Sequence, residues 1–200
     1  MTSKQKLLQL AVSGQNGRHW YSEATRSISE FCEEFYDFKG DFQDPEVFTK
    51  VLAVLSPQVS VKQNINLTVG YLFFDEEPKV VSSVRTSLRR LEESGYQISS
   101  IKGPKTSRFA RALLGDSEAV VLDVHMGYAL NVEATKLKNK GIQAEAERRV
   151  RWVARNLDWS PCETQAAIWT AQRDRAGYTY SGISKSLLSQ SYELTEPVTH

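Results

Sequence analysis

The chain has 200 residues, 40% of them hydrophobic, enough to bury a core in one domain or two small lobes. Lys and Arg number 25 against 24 Asp and Glu, so the net charge is +1 and no global basic field announces nucleic acid. Two cysteines, Cys32 and Cys162, make no disulfide framework and fit a reducing compartment. His19, His125 and His200 show no metal-ligand spacing with them.

Helical periods dominate. The apolar stretch Leu7 to Val12 is too short and too polar in its surroundings for a signal peptide or a membrane span, which points to a soluble, cytoplasmic protein. Trp20 to Phe38 places Ile28, Phe31, Phe35 and Phe38 at steps of three and four, the pattern of an amphipathic helix. Asp44-Pro45-Glu46 starts the next helix, with Asp44 as N-cap and Pro45 at the first position. Ser60-Val61-Lys62-Gln63 has the capping-box pattern and leads into Ile65, Val69, Leu72 and Phe73. Pro78 breaks the chain, and Val80 to Leu91 reads as a helix ending at Ser94-Gly95.

Gly103-Pro104 opens a helix carrying Lys105, and Gly115 closes it. Ala119 to Val124 alone reads as a buried strand with an acid near its end, which would suit an α/β nuclease or a nucleotide-binding fold. No partner strands accompany it, so the expected class is all-α. Ser160-Pro161-Cys162-Glu163 is a strong helix start. From Tyr178 the chain is rich in Ser, Thr and Tyr, and 178–200 reads as a loosely ordered tail.

Lys105 in Ile101-Lys102-Gly103-Pro104-Lys105-Thr106 and Asp123 in Val121-Leu122-Asp123-Val124-His125 are 18 residues apart. This layout resembles the helix-hairpin-helix DNA glycosylases, endonuclease III in particular. That family writes its hairpin roughly L-P-G-V-G-x-K-T-A and follows it with V-D-T-H, the aspartate 18 residues after the lysine. Upstream, Phe48 to Ser60 is similar to the family's F-x-x-L-x-x-x-x-L-S-x-Q-x-T segment, with Gln58 on its glutamine. The resemblance covers roughly 44 to 130, and 142 to 175 more loosely. One departure stands out: Ile101 occupies the place of the hairpin's first glycine, leaving Gly103 alone.

The resemblance implies a two-lobed fold: a terminal lobe from 1–43 and 131–177, and a central lobe from 44–130. It implies base excision from double-stranded DNA with abasic-site lyase activity, by a monomer working at the nucleoid. Lys105 would be the nucleophile and Asp123 its electrostatic support. Gln58 would fill the gap left by a flipped-out base. Lys102, Gly103, Thr106, Arg108 and His125 would contact DNA. No cofactor is implied beyond a monovalent cation at the hairpin, and with one cysteine after the catalytic region the iron–sulfur cluster of many relatives is absent.

The chemistry asks for these residue types. Cleaving the bond between base and C1′ builds oxocarbenium character that a carboxylate stabilises. An unprotonated amine captures C1′ as a Schiff base, and burial or neighbouring cations favour that neutral form. Plainer readings coexist: Lys105 as a solvated lysine, Asp123 as a helix cap, Gln58 as a turn residue. Arg85, Arg89 and Arg90 either widen a basic face or line a solvated helix. Trp152, Trp159 and Trp169 suit a core better than a stacking platform, and Trp20-Tyr21 a core better than a base pocket. Two other functions fit the fold: metabolism of modified bases, and DNA binding without catalysis.

Overall fold

A computed structural model of the chain describes residues 1–34 and 44–177, together with Ile183, Ser186 and Leu187. The described elements are helices, with no strand among the described residues: α1 (Lys4–Ser13), α2 (Trp20–Glu34), α3 (Pro45–Leu55), α4 (Val61–Phe74), α5 (Ser82–Glu93), α6 (Pro104–Leu113), α7 (Val124–Leu130), α8 (Lys140–Leu157) and α9 (Pro161–Arg175). The all-α expectation therefore holds. Phe35, Phe38 and most of the expected tail, 178–200, lie outside the described residues.

Short polar side chains set the helix starts. Asp44 Oδ1 accepts from Glu46 N at 2.8 Å, with Pro45 at the first position where its missing N–H costs nothing. Ser60 Oγ accepts from Gln63 N at 3.2 Å. Ser160 makes the full reciprocal box, accepting from Glu163 N at 3.2 Å while Ser160 N donates to Glu163 Oε2 at 2.9 Å. Each such cap contributes about 1 kcal/mol. α5 begins at Ser82, two residues later than the sequence pattern suggests, and Val81 before it offers no side-chain cap.

The described chain divides into two compact units, Met1–Ser22 with Arg111–Tyr180, and Glu23–Ala110 with Ser181–His200. The boundaries differ from the expected 43/44 and 130/131. Phe31 of α2 packs its ring on Phe48 of α3 and Phe73 of α4, at 5.8 Å in both cases, which places most of α2 with the central helices. Val120, Leu122, Met126 and Leu130 instead join a cluster with Leu7, Leu10, Val150, Val153 and Ile168, which places α7 and the segment before it with the termini.

In the unit built on the termini, α9 packs against α1, α7 and α8. Gly14, just past α1, makes the close approach to α9 possible. Ala119 to Leu122 is buried here but is not a strand. Its burial comes from the surrounding helices, and the turn before it is held by Ala119 N donating to Asp116 O and, from α9, by Cys162 N donating to Ser117 O. In the other unit α3 packs on α4 and α5. There Phe48, Leu52, Leu55, Ile65 and Leu91 are fully buried. No described helix is long and apolar enough to cross a membrane.

Burial pushes both cysteine thiols up to about 12, with Asp44 and Glu33 adding to the effect at Cys32, and Asp116 and Glu163 at Cys162. At pH 8 only roughly one thiol in ten thousand would be the reactive thiolate. The native protein should leave both thiols unlabelled by a chromogenic disulfide reagent over minutes, and expose both in guanidinium. Prompt labelling of the folded chain would contradict this packing.

Candidate functional site

The hairpin lies in the second unit, between α5 and α6. A 3₁₀ turn, Ile98–Ser100, is closed by Ile101 N donating to Ile98 O at 3.1 Å. Ile101 is extended, φ −71°, and its side chain is buried. Nothing in that backbone calls for glycine, which is the physical reason Ile101 is tolerated there. Gly103 is different: its φ is +91°, a region that side chains avoid. Pro104 then opens α6, and Ser107 N donates to Gly103 O at 3.0 Å. Gly103 has no side chain, so it offers the first-turn amides of α6 no side-chain acceptor.

Lys105 and Lys102 are exposed. Lys102 Nζ folds back onto Ser99 O at 3.1 Å. Lys105 makes no ion pair or side-chain hydrogen bond among the described residues, and the burial expected to favour its neutral form is not there. Thr106 and Arg108 are half-buried on the same helix. Gln58 sits past the end of α3 with φ +67°, a left-handed conformation that a non-glycine residue adopts at some cost in strain.

Gln58, Lys102 and Thr106 line one cavity of about 170 Å³. Its floor is apolar, from Val54, Val84 and Ile101, and Ser83 and Ser87 of α5 add hydroxyls. The sequence reading missed both serines. Their spacing along α5 was the available signal, because i and i+4 share a helix face. Of the α5 arginines, Arg85 is engaged by Glu77 at 3.2 Å, so it is not a free phosphate contact.

Asp123 lies in the other unit as the N-cap of α7. Its Oδ1 accepts from Met126 N at 2.9 Å, and its Oδ2 accepts from Trp169 Nε1 at 2.9 Å. The capping reading of Asp123 is therefore correct, and it leaves room for a second role because a carboxylate keeps further lone pairs. Both bonds orient the group. Trp169 was read as a core residue; its indole also holds the carboxylate. His125, half-buried at the second position of α7, has its ring 6.2 Å from Trp169 and 6.3 Å from Tyr128, both edge-on. The guanidinium of Arg173 lies 4.7 Å from the Trp169 ring centre. Lys105 and Asp123 belong to different units.

Residues 10–176 match the model of a family of unknown function, DUF7178. The chain belongs to that family. The DUF7178 match takes in the helix starts at Asp44, Ser60 and Ser160, the hairpin, Lys105, Asp123 and Trp169. No curated protein matches the chain, and no solved structure does.

Proposed function

We propose that the chain is a DNA glycosylase with abasic-site lyase activity, binding duplex DNA through the hairpin face and excising a base. The observation that carries the reading is the grouping of Gln58, Lys102 and Thr106, with Ser83 and Ser87, around one cavity beside Gly103. These are hydroxyl, amide and amine donors next to a helix start, the kind of set that holds phosphate oxygens. Lys105 follows Gly103 by two residues and projects into solvent, so bound DNA would supply the desolvation that the free protein does not.

In this reading the Lys105 amine attacks C1′. The bond from C1′ to the base breaks, and the electron pair leaves with the base, which takes up a proton. Loss of the amine proton and ring opening give the Schiff base. Removal of a C2′ proton then expels the 3′ phosphate. Asp123 stabilises the positive charge at the sugar. The endonuclease III-like register of 18 residues and the exposed amine support these assignments.

The test is covalent trapping. Borohydride reduces an imine to a permanent link, so wild type incubated with abasic-site duplex should become attached to it. Lys105→Ala should not, while still binding duplex with a salt dependence like that of wild type. Trapping of Lys105→Ala as efficient as wild type would move the nucleophile elsewhere. Duplex binding with neither trapping nor base release, across a panel of single-lesion duplexes, would favour a binding module.

A further inference from the structure

We propose that the unit built on the termini carries a second site, which takes a nucleoside monophosphate unit through a base stacked on Tyr128 and a phosphate held by Lys6 and Arg175. The site is a cavity of about 510 Å³, within the range of roughly 300–1,000 Å³ of small-molecule pockets. It is three times the size of the cavity at the hairpin and lies wholly within the other unit. It makes no use of Lys105 or Gln58, so it stands apart from the excision reading.

The charge decides the sign of the ligand. Lys6 comes from α1 and Arg175 from the end of α9, and among the described residues no carboxylate lines the cavity with them. Neither cation has an ion pair among the described residues, whereas Arg148, Arg149 and Arg151 of nearby α8 all do. Two unneutralised cations converging on one hollow favour an anion. The cavity is too large for inorganic phosphate alone to fill.

The aromatic decides the rest. Tyr128 is 63% exposed, the most exposed of the large hydrophobic side chains described. It lines the cavity, and among the described residues its ring pairs only with His125, edge-type at 6.3 Å, which leaves a face to stack on. Base–aromatic stacking tolerates any base, because every base has a π face. Thr2, Ser3 and Gln172 supply donors and acceptors around a sugar. The rim is held before any ligand arrives. Thr2 N donates to Leu130 O at 2.7 Å, and the Arg149 guanidinium donates to Thr2 O.

The test uses the full chain and equilibrium dialysis against the four deoxynucleoside 5′-monophosphates, the matching nucleosides and inorganic phosphate. The monophosphates should bind, with nucleosides and phosphate at least roughly tenfold weaker, since each engages half of the site. Lys6→Ala with Arg175→Ala should weaken the monophosphates about tenfold or more. Tyr128→Ala should weaken them roughly tenfold and Tyr128→Phe should not, because stacking needs the ring and not the hydroxyl. Lys105→Ala should bind them like wild type, so failure of the excision reading and failure of this site are separable. A 5′-phosphorylated single-stranded oligonucleotide that displaces the monophosphate identifies a strand as the source of the unit. Monophosphate binding that resists the oligonucleotide identifies the free nucleotide. Absence of monophosphate binding at millimolar concentration overturns the proposal. So does binding that survives both the double variant and Tyr128→Ala with the helical dichroism of wild type.

Discussion

Asp123→Asn is expected to slow base release by roughly two to three powers of ten, the size of effect seen when a preorganised charge partner is lost from a transition state. The same substitution should also lower stability, and the structure shows why. The carboxylate of Asp123 offers two acceptors and both are used, Oδ1 by Met126 N and Oδ2 by Trp169 Nε1, each at 2.9 Å. An asparagine has one carbonyl oxygen. Whichever way its amide turns, an NH₂ group faces an N–H donor, and one bond becomes a repulsion. The cost of leaving such a donor unmet is about 1–3 kcal/mol. A slow Asp123→Asn enzyme is therefore ambiguous by itself. Trp169→Phe resolves it: the indole bond is lost and stability falls, but the charge and the α7 cap remain. If Asp123 acts electrostatically, Trp169→Phe should retain base release to within about tenfold of wild type, while Asp123→Asn does not. If both variants slow equally at equal loss of stability, Asp123 is a cap and nothing more.

That ambiguity was built into the sequence. A lone aspartate in Ala119 to Val124 is as good a helix cap as it is a catalytic group, and it turns out to cap α7. Helix starts were legible wherever a short polar residue met proline or a glutamate three residues on, as at Asp44-Pro45 and Ser160-Pro161. α8 is the longest described helix at 18 residues, yet nothing in the sequence reading drew its bounds. Its start, Asn139-Lys140-Gly141, carries no proline and no box, and Asn139 caps it through Gly141 N and Ile142 N. Local rules cannot see tertiary partners. Trp169 is 46 residues from Asp123, and no periodicity links them. The compact units are bounded elsewhere than 43/44 and 130/131 for the same reason: a ring on a ring, Phe31 on Phe48, decides where α2 belongs, and sequence order does not. At the hairpin the residue types were legible, Gln58, Lys102 and Thr106 meeting in one cavity, but the exposure of Lys105 was not.

The other large effect is expected at Gly14, where alanine should cost about 3 kcal/mol or more. The backbone there is ordinary, φ −104° and ψ 16°, so conformation does not demand glycine. Space does. A Cβ on Gly14 would lie 2.1 Å from Ala167 O and 2.9 Å from the Ala171 Cβ. The first contact is with the main chain of α9, which cannot rotate away, so α1 must move off α9 and the cluster around Leu7, Leu10 and Ile168 must open. Gly17 makes a comparable case, because its Cβ would meet Thr170 Oγ1 at 2.1 Å and Thr170 Cβ at 2.6 Å, and a change of rotamer moves the first atom but not the second. Gly103 is the converse: nothing lies within 4 Å of its Cβ position, and only the φ of +91° resists a side chain. Its replacement by alanine should cost only about 1–2 kcal/mol. Urea unfolding followed by dichroism should thus place both Gly14→Ala and Gly17→Ala well below Gly103→Ala in stability. Duplex binding should rank them differently, with Gly103→Ala the weakest among samples that remain folded, because it reshapes the amides at the start of α6. A Gly14→Ala protein as stable as wild type would mean that α1 and α9 do not approach as closely as described.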